Sequence, residues 1–275
     1  MRPGFQTLSV FAVLLVMAAA VAAEEPVRLR VLLLGQKPDS HPATTHEYMA
    51  GARLLGTLLE RSKGIQALVA SADSPWTDGP ELLDQVDGVV VFVSEGAKWL
   101  TEEPKRLAAF QRLARRSGGL TCLHWGMGTR DAAPIAEFTA LFGGCHGGPD
   151  RKYKVATVVA NPVAEHPIVS GIAPFEVRDE FYYALKQAAP EQRLKVVPLL
   201  RVPIDGADQT VAWACERPDN GRSFGFSGLH FHENWKRVEY RRLVLQGILW
   251  TLHREIPEAG IAVDIAPETF ELPTR

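Results

Sequence analysis

Cysteine is scarce in this chain, and its number is odd. Three cysteines occur among 275 residues, so a disulfide framework does not stabilise the fold. Cys122 and Cys215 lie in apolar runs, and we expect them to be small core residues. Cys145 lies in a glycine-rich loop beside His146, and it is the only cysteine whose surroundings indicate more than packing.

The sequence also lacks an excess of charge of either sign. It has 30 lysines and arginines against 32 aspartates and glutamates, which gives a net charge of −2. A nucleic-acid-binding protein needs a basic surface that displaces counterions, so we expect no nucleic-acid partner. The balance gives no reason to expect a membrane surface or a polyanion, and no nucleotide cofactor is expected.

Long apolar runs are missing outside the N-terminus. There, the positive charge of Arg2 precedes an apolar run from Phe11 to Ala20, and small residues follow up to Ala23. This pattern is typical of a secretory signal peptide. An anchor helix is the alternative, but the run is short for a bilayer span. We therefore predict that residues 1–23 are a signal peptide, and that the mature protein is periplasmic or secreted and has no membrane attachment.

The first half of the mature chain alternates apolar runs with helical patterns. Predicted strands are Val27 to Gly35, Ile65 to Ser71, Gly88 to Val93 and Leu120 to Leu123. Predicted helices are Thr45 to Arg61, Pro80 to Val86 and Glu102 to Arg116. Solidly apolar strands that alternate with helices predict a parallel sheet covered on both faces. Such sheets bind ligands at the carboxyl ends of their strands. The rule selects the loops Gln36 to His46, Ser94 to Trp99 and His124 to Arg130.

The second half has short β-like runs separated by turn clusters. They are Lys152 to Ala160, Glu176 to Tyr183, Leu194 to Leu200, Thr210 to Cys215 and Arg222 to Ser227. We predict that they extend the sheet and form antiparallel hairpins at its edge. A last helix is predicted from Tyr240 to Arg254. One domain over residues 27–254 and a C-terminal extension over residues 255–275 follow from this division.

Seven of the eight histidines lie in predicted loops or at strand ends. They are His41, His46, His124, His146, His166, His230 and His232. A single loop histidine is more often solvated or hydrogen-bonded than a ligand, so it is the clustering that favours a shared site. Imidazole titrates near neutral pH and ligates metals when it is neutral. The spacing is not a zinc signature such as His-Glu-x-x-His.

Two pairs of residues refine this hypothesis. If the chain stays extended at His230 and His232, both side chains share one face and can ligate one ion. Asp179 and Glu180 point to opposite faces of a strand, so only one of them can join the site. We predict a divalent metal such as zinc or manganese, with the ligands His124, His146, His230 and His232.

The order and spacing of several short motifs resemble the ThuA-like (trehalose-utilisation) family. The motifs include the segment from Gly118 to His124, the segment from Phe138 to His146, His166-Pro167, Asp179-Glu180-Phe181-Tyr182 and Gly228-x-His230. The resemblance extends from about Val27 to His253. The first loop, with His41 and His46, departs from the commoner form of the family.

The resemblance implies an α/β fold that is flavodoxin-like or class I glutamine amidotransferase-like. This fold is a three-layer sandwich with a mostly parallel sheet and added antiparallel strands. In the amidotransferases a sharp strand–helix elbow carries a nucleophilic cysteine. Here His124 stands at the elbow, and Cys122 lies two residues earlier on the strand. A nucleophilic thiolate needs exposure and a lowered pKa, so glutamine hydrolysis is not expected.

The resemblance also implies sugar metabolism, including trehalose and 3-keto-glycosides. We expect an exported lyase or hydrolase that acts on a small carbohydrate. The catalytic candidates are His124, His146, Glu180 and His230. The substrate-binding candidates are His46, Trp125, Asp179, Tyr182 and Trp235. A non-catalytic sugar-binding module and an amidotransferase-like hydrolase using Cys145 are the alternatives. The sequence does not indicate the sugar, the role of each histidine or the oligomeric state.

Overall fold

The structure, a computed structural model, describes residues 1 and 28–273. The predicted signal peptide therefore lies outside the described residues, apart from Met1. The strands are β1 (Leu29–Gly35), β2 (Ile65–Ser71), β3 (Gly88–Val91), β4 (Gly119–Leu123), β5 (Gly128–Thr129), β6 (Gly144–Gly147), β7 (Lys152–Pro162), β8 (Phe175–Tyr183), β9 (Lys186–Gln187), β10 (Lys195–Ile204), β11 (Ala207–Glu216) and β12 (Arg222–Phe226). The helices are α1 (Tyr48–Glu60), α2 (Gly79–Asp84), α3 (Gly96–Thr101), α4 (Pro104–Arg115), α5 (Ile135–Phe142) and α6 (Val238–Thr251).

One nine-stranded sheet forms the centre of the fold, in the order β2-β1-β3-β4-β12-β11-β10-β7-β8. The five strands from β2 to β12 in this order pair in parallel. Every residue of β3 and β4 is buried, as their solid apolar runs predict. The remaining four strands pair antiparallel. This arrangement confirms the predicted α/β class with a parallel core and added antiparallel strands.

Local chemistry explains one of the antiparallel hairpins. Asp205 and Gly206 join β10 to β11, and both have positive φ, 53° and 78°. Two such residues in succession form the type of tight turn whose twist matches that of the flanking strands.

The sequence did not predict helix α3 or a second, small sheet. Helix α3 lies where a loop was predicted, and a small three-stranded sheet, β5-β6-β9, packs beside the main one. Strands β5 and β9 have two residues each, too few to show any period in hydrophobicity. Strand β6 of this small sheet carries His146, one of the predicted site residues.

A sharp elbow follows β4, the parallel strand between β3 and β12. His124 has a φ of 47° and opens a single 3₁₀ turn. This turn packs closely on the neighbouring strand, because a Cβ added to Gly126 would lie 2.2 Å from the carbonyl oxygen of Val91. A left-handed conformation at a non-glycine residue is strained and tends to occur at functional sites. His124 is therefore held at the carboxyl edge of the sheet.

The segment after α6 packs against the domain. Val263 is buried, and its carbonyl accepts a hydrogen bond from Arg241 of α6 at 2.9 Å. Within residues 28–273, no helix has the length and apolar character that crossing a bilayer requires.

Candidate functional site: a buried imidazole and carboxylate cluster

His124 is the centre of the site. Its ring is fully buried, and its Nδ1 lies 2.8 Å from the carbonyl oxygen of Ser227. A carbonyl oxygen only accepts hydrogen bonds, so Nδ1 carries the hydrogen and Nε2 presents its lone pair. Three groups converge on that Nε2: His46 Nε2 at 3.0 Å, the Tyr182 hydroxyl at 3.0 Å and His230 Nδ1 at 3.3 Å.

Asp39 orients His46 in the same way. The Nδ1 of His46 lies 2.9 Å from the Asp39 carboxylate, and the Tyr48 hydroxyl donates to the same carboxylate oxygen at 3.0 Å. On its own, burial would raise the pKa of Asp39. Hydrogen bonds from His46 and His41 outweigh it and hold that pKa well below its usual value. The ionised carboxylate fixes the hydrogen of His46 on Nδ1, so Nε2 again presents a lone pair.

The two Nε2 atoms therefore face each other as acceptors, 3.0 Å apart. Two lone pairs at this distance repel each other unless a cation lies between or beside them. Two nitrogen ligands of a tetrahedral zinc ion, each about 2.05 Å from the metal, lie about 3.3 Å apart. The distances from His124 to His46 and His230, 3.0 and 3.3 Å, match that geometry.

Glu180 completes the group. Its Oε1 lies 3.6 Å from His230 Nδ1 and 4.0 Å from His124 Nε2. Ligand atoms of His46, His124, Glu180 and His230 all lie within 4.8 Å of one another. We call these four residues the metal-ligand cluster. A second group, Asp39, His41 and His46, shares His46 with it.

Asp179 stands on the other face of β8, as the alternation predicts, and has a positioning role. It is fully buried and accepts hydrogen bonds from the backbone N–H groups of Leu229 and His230 at 2.7 and 3.1 Å. The Tyr240 hydroxyl donates to it at 3.0 Å. Asp179 thus fixes the turn that carries His230 and is not among the residues that line the cleft beside the cluster, which corrects its predicted substrate-binding role.

His146 lies beside the cluster and outside it. Its ring stacks on Tyr182 at a centroid distance of 3.9 Å, and Tyr182 also stacks on His124 at 4.5 Å. Trp125 packs against both His146 and Tyr182. The Nδ1 of His146 is buried, and no described residue hydrogen-bonds to it. His146 is therefore not one of the four clustered residues, which corrects its predicted role as a metal ligand.

The structure separates three other predicted residues from the site. The Nε2 of His232 lies 3.2 Å from the carbonyl oxygen of Phe270, because the chain turns into a 3₁₀ helix at this residue. His230 and His232 therefore do not share one face and do not ligate together. Trp235 is 1% exposed and packs on Phe92, so it is a core residue and not a platform for a sugar. His166 packs against Trp250.

An open cleft with a cavity volume of about 110 Å³ lies over the cluster. Its lining includes His46, Glu180 and Tyr182 from the cluster region, and the aromatic rings of Trp125 and Tyr153. Tyr153 is 59% exposed. Rings of this kind can pack against the apolar face of a sugar.

Burial keeps these imidazoles neutral. It lowers the pKa of His230 to about 3, with further lowering by His46 and His41. Burial and the charge of Arg151 lower the pKa of His146 to about 3. The pKa of His124 is held well below its usual value by burial and by the neighbouring histidines. Burial raises the pKa of Glu180 to about 7, and the charge of Asp179 adds to the rise. Neutral imidazole is the form that binds metal.

The cysteines do not fit a hydrolytic role. All three are buried and free. Cys145 donates to the carbonyl oxygen of Met127, and burial raises the pKa of its thiol to about 12. A thiol in this state is not a nucleophile at neutral pH. The structure therefore removes the basis for the amidotransferase-like alternative.

Sequence reasoning missed Asp39 and Tyr48 as parts of the site, and Tyr153 and Arg151 as parts of the cleft. Asp39 lies two residues before His41 in a loop that had been selected as ligand-binding, so its carboxylate was a detectable signal. Tyr48 falls within the predicted helix Thr45 to Arg61, whose pattern indicates only packing. Tyr153 lies in a predicted strand at the edge of the sheet, and nothing in that strand pattern indicates a cleft.

Comparisons with known proteins agree with this fold. A ThuA-like protein from Bacteroides uniformis has 15% identity, covers 86% of this chain and 97% of its own, and superposes with a TM-score of 0.62. A cytoplasmic protein from Salmonella typhimurium has 15% identity, with 81% and 99% coverage and a TM-score of 0.54. A GH42 β-galactosidase, Gan42B, has 11% identity, with 84% and 31% coverage and a TM-score of 0.50.

Identities this low indicate a common fold alone. A comparison with curated protein sequences found no significant match. The family profile described as "ThuA: Trehalose utilisation" matches residues 30–251, which is most of the chain and includes every residue of the metal-ligand cluster. The motifs that run from β1 to α6 are thus those of one family, and the chain belongs to the ThuA family.

Proposed function

We propose that the protein is an exported, metal-assisted enzyme that acts on glycosides or 3-keto-glycosides of the trehalose type, as a lyase or hydrolase. One observation carries the proposal. Three imidazole nitrogens and a carboxylate oxygen, from four separate segments of the chain, lie within 4.8 Å of one another beside an open cleft. The family description, trehalose utilisation, supports a sugar as the substrate.

The ligand set supports zinc or manganese. Zinc accepts imidazole and carboxylate ligands together, and the carboxylate oxygen also suits manganese. Asp39, hydrogen-bonded to His46, and the Ser227 carbonyl, hydrogen-bonded to His124, supply the outer contacts that orient metal-binding imidazoles. When bound, a divalent ion stabilises negative charge that develops on a nearby oxygen.

The chemistry of a 3-keto-glycoside suits such a site. The ketone at C3 makes the proton on C2 acidic, and a base that removes it leaves an enolate. The enolate electrons then expel the C1 substituent. The C1–O bond breaks, and the departing oxygen takes a proton from an acid. The product pair is an unsaturated keto sugar and an alcohol in a lyase, and addition of water at C1 gives net hydrolysis.

The chain's own residues can take the remaining roles. His146 lines the cleft outside the metal-ligand cluster, and its buried Nδ1 has no hydrogen-bond partner among the described residues, so it is the group that we assign to proton transfer on the substrate. Trp125 and Tyr153 offer ring faces to the sugar. The convergence of imidazoles supports an enzyme over a non-catalytic sugar-binding module, for which dispersed histidines would suffice.

Turnover of 3-keto-trehalose and of trehalose by the purified mature protein tests the proposal. We expect the keto sugar to be cleaved, and we expect His124→Ala and His146→Gln each to lower kcat by about 100-fold or more. His232→Gln is the matched control, because His232 lies outside the cluster, and it should keep most of the activity. Equal turnover in wild type and the His124→Ala, His230→Ala double variant would contradict the proposed site.

The predicted leader is tested separately, by N-terminal sequencing of protein recovered from the periplasm or medium of an expressing bacterium. Export with cleavage after Ala23 is the expected result. An intact leader on cytoplasmic protein would contradict export and leave the catalytic proposal standing.

A further inference from the structure

Two arginines line the cleft beside the metal-ligand cluster, and they differ in their partners. Arg130 forms a short ion pair with Glu95, and its guanidinium lies 5.6 Å from the centre of the Trp125 ring. A guanidinium that already holds a carboxylate contributes little net charge to the cleft. Arg130 therefore contributes mainly to the shape of the cleft wall and little to its charge.

Arg151 has no such partner. It is partly buried, and its Nη1 donates to the carbonyl of Gly148 at 3.2 Å. The adjacent acidic residue, Asp150, pairs instead with Lys186 at 2.5 Å. Among the residues that the structure describes, no carboxylate forms an ion pair with Arg151. Its positive charge therefore faces the cleft without a counter-ion.

The surroundings of Arg151 suit an anion. Its charge acts on His146, another residue of the lining, whose ring is neutral at neutral pH. The only carboxylate in the lining is Glu180, which belongs to the metal-ligand cluster. Tyr182 lies between that cluster and His146, since it stacks on both His124 and His146. The cleft therefore has a metal-binding end and a cationic end.

We propose that the preferred substrate is a sugar that carries an anionic group, a carboxylate or a phosphate, which the guanidinium of Arg151 binds. The inference rests on the proposed carbohydrate function and narrows its substrate class. The planar fork of arginine matches both anions through paired N–H donors. With the anion at Arg151, the sugar ring lies along Trp125 and Tyr153, and its reacting carbons point towards the metal-ligand cluster.

Calorimetric titration of the mature protein with glucuronate, glucose 6-phosphate and glucose tests this inference. We expect at least one anionic sugar to bind about 10-fold or more tightly than glucose, and Arg151→Gln to remove that preference. Arg130→Gln is the matched control, and it should keep most of the preference because Glu95 already neutralises Arg130. The stronger of the two anionic ligands identifies carboxylate or phosphate. Binding of glucose as tight as that of both anions, failure of both anions to bind, or a preference that survives Arg151→Gln would overturn the inference.

Turnover measurements distinguish failure of the anion site from failure of the proposed carbohydrate function. The substrates are the 3-keto forms of a methyl glucoside and the matching methyl glucuronide. Equal cleavage of both, unchanged in Arg151→Gln, overturns the anion site and leaves the proposed enzyme standing. Arg151-dependent binding of the acidic sugar without cleavage of either substrate supports the anion site and contradicts the proposed reaction.

Discussion

At the scale of single residues, the tautomers of two histidines decide what the site can do. The Ser227 carbonyl and the Asp39 carboxylate each hold a hydrogen on Nδ1. Both Nε2 atoms are thereby left as acceptors that face each other. Asp39 is not among the site residues predicted from the sequence. The next prediction tests its contact with His46.

Replacement of Asp39 by asparagine should weaken metal binding by about 10- to 100-fold, because His46 loses the carboxylate that fixes its ring. The measurement is competition for zinc against a chromophoric chelator. Asp73→Asn is the matched control, since Asp73 is a half-buried carboxylate that hydrogen-bonds to Ser71 and the Lys37 backbone and to no histidine. An unchanged zinc affinity in Asp39→Asn would show that Asp39 has no such role.

A second residue-scale prediction concerns His146 and pH. Its folded-state pKa of about 3 lies below its unfolded value near 6.5. The unfolded chain therefore takes up the proton first as the pH falls below about 6.5. The stability that neutral His146 contributes is complete above that pH and is lost as the pH falls towards 3.

In metal-free protein this one group should cost about 2 kcal/mol of unfolding free energy between pH 7 and pH 5. Urea unfolding at the two pH values measures the loss. In His146→Gln the loss should be smaller by about that amount. A loss of the same size in wild type and variant would mean that His146 does not stay neutral in the folded protein.

At the scale of elements, the strands of the parallel core could be predicted from the sequence. Solid apolar runs mark strands that are buried on both faces, and β1 to β4 lie where those runs are. The site could be predicted only in part. The carboxyl-edge rule selected the loops that carry His46 and His124, and the alternation along β8 separated Asp179 from Glu180. The direction of His232 could not be predicted, because the short 3₁₀ turn that reorients it leaves no periodic pattern.

The turn over residues 228–231 depends on Asp179. Asp179→Asn replaces one carboxylate oxygen by an amide N–H₂, which cannot accept from the backbone N–H groups it would meet. We expect a loss of about 2 kcal/mol or more in stability and faster hydrogen exchange at the amides of Leu229 and His230. Tyr240→Phe, which removes one hydroxyl donor to Asp179, should cost about 1 kcal/mol. Unchanged exchange at both amides in Asp179→Asn would contradict this role.

The elbow after β4 depends on the small size of Gly126. A Cβ there would lie 2.2 Å from the Val91 carbonyl oxygen, so Gly126→Ala must shift backbone. We expect a loss of about 1–3 kcal/mol in unfolding free energy and weaker zinc binding, since His124 moves with the turn. Gly56→Ala in α1 is the control, because its new Cβ would meet only side-chain atoms, the nearest at 3.1 Å. Equal stability of the two variants would show that the elbow tolerates the shift.

At the scale of the whole molecule, the fold brings together residues that are far apart in sequence. His46, His124, Glu180 and His230 come from the loop after β1, the elbow after β4, strand β8 and the turn after β12. Strands of the parallel core precede three of these positions, and the antiparallel strand β8 carries the fourth. These residues meet because strands distant in sequence pair with one another. A single sequence contains little information about which strands pair.

The content of divalent metal in the purified mature protein tests the central claim most directly. After zinc loading and dialysis, mass spectrometry should find about one ion per chain in wild type. The His146→Ala, His232→Ala double variant should retain that ion, because the structure places both residues outside the metal-ligand cluster. The His124→Ala, His230→Ala double variant should hold almost none. Wild-type protein without bound metal, or a folded His124→Ala, His230→Ala variant that still binds one ion, would contradict the account.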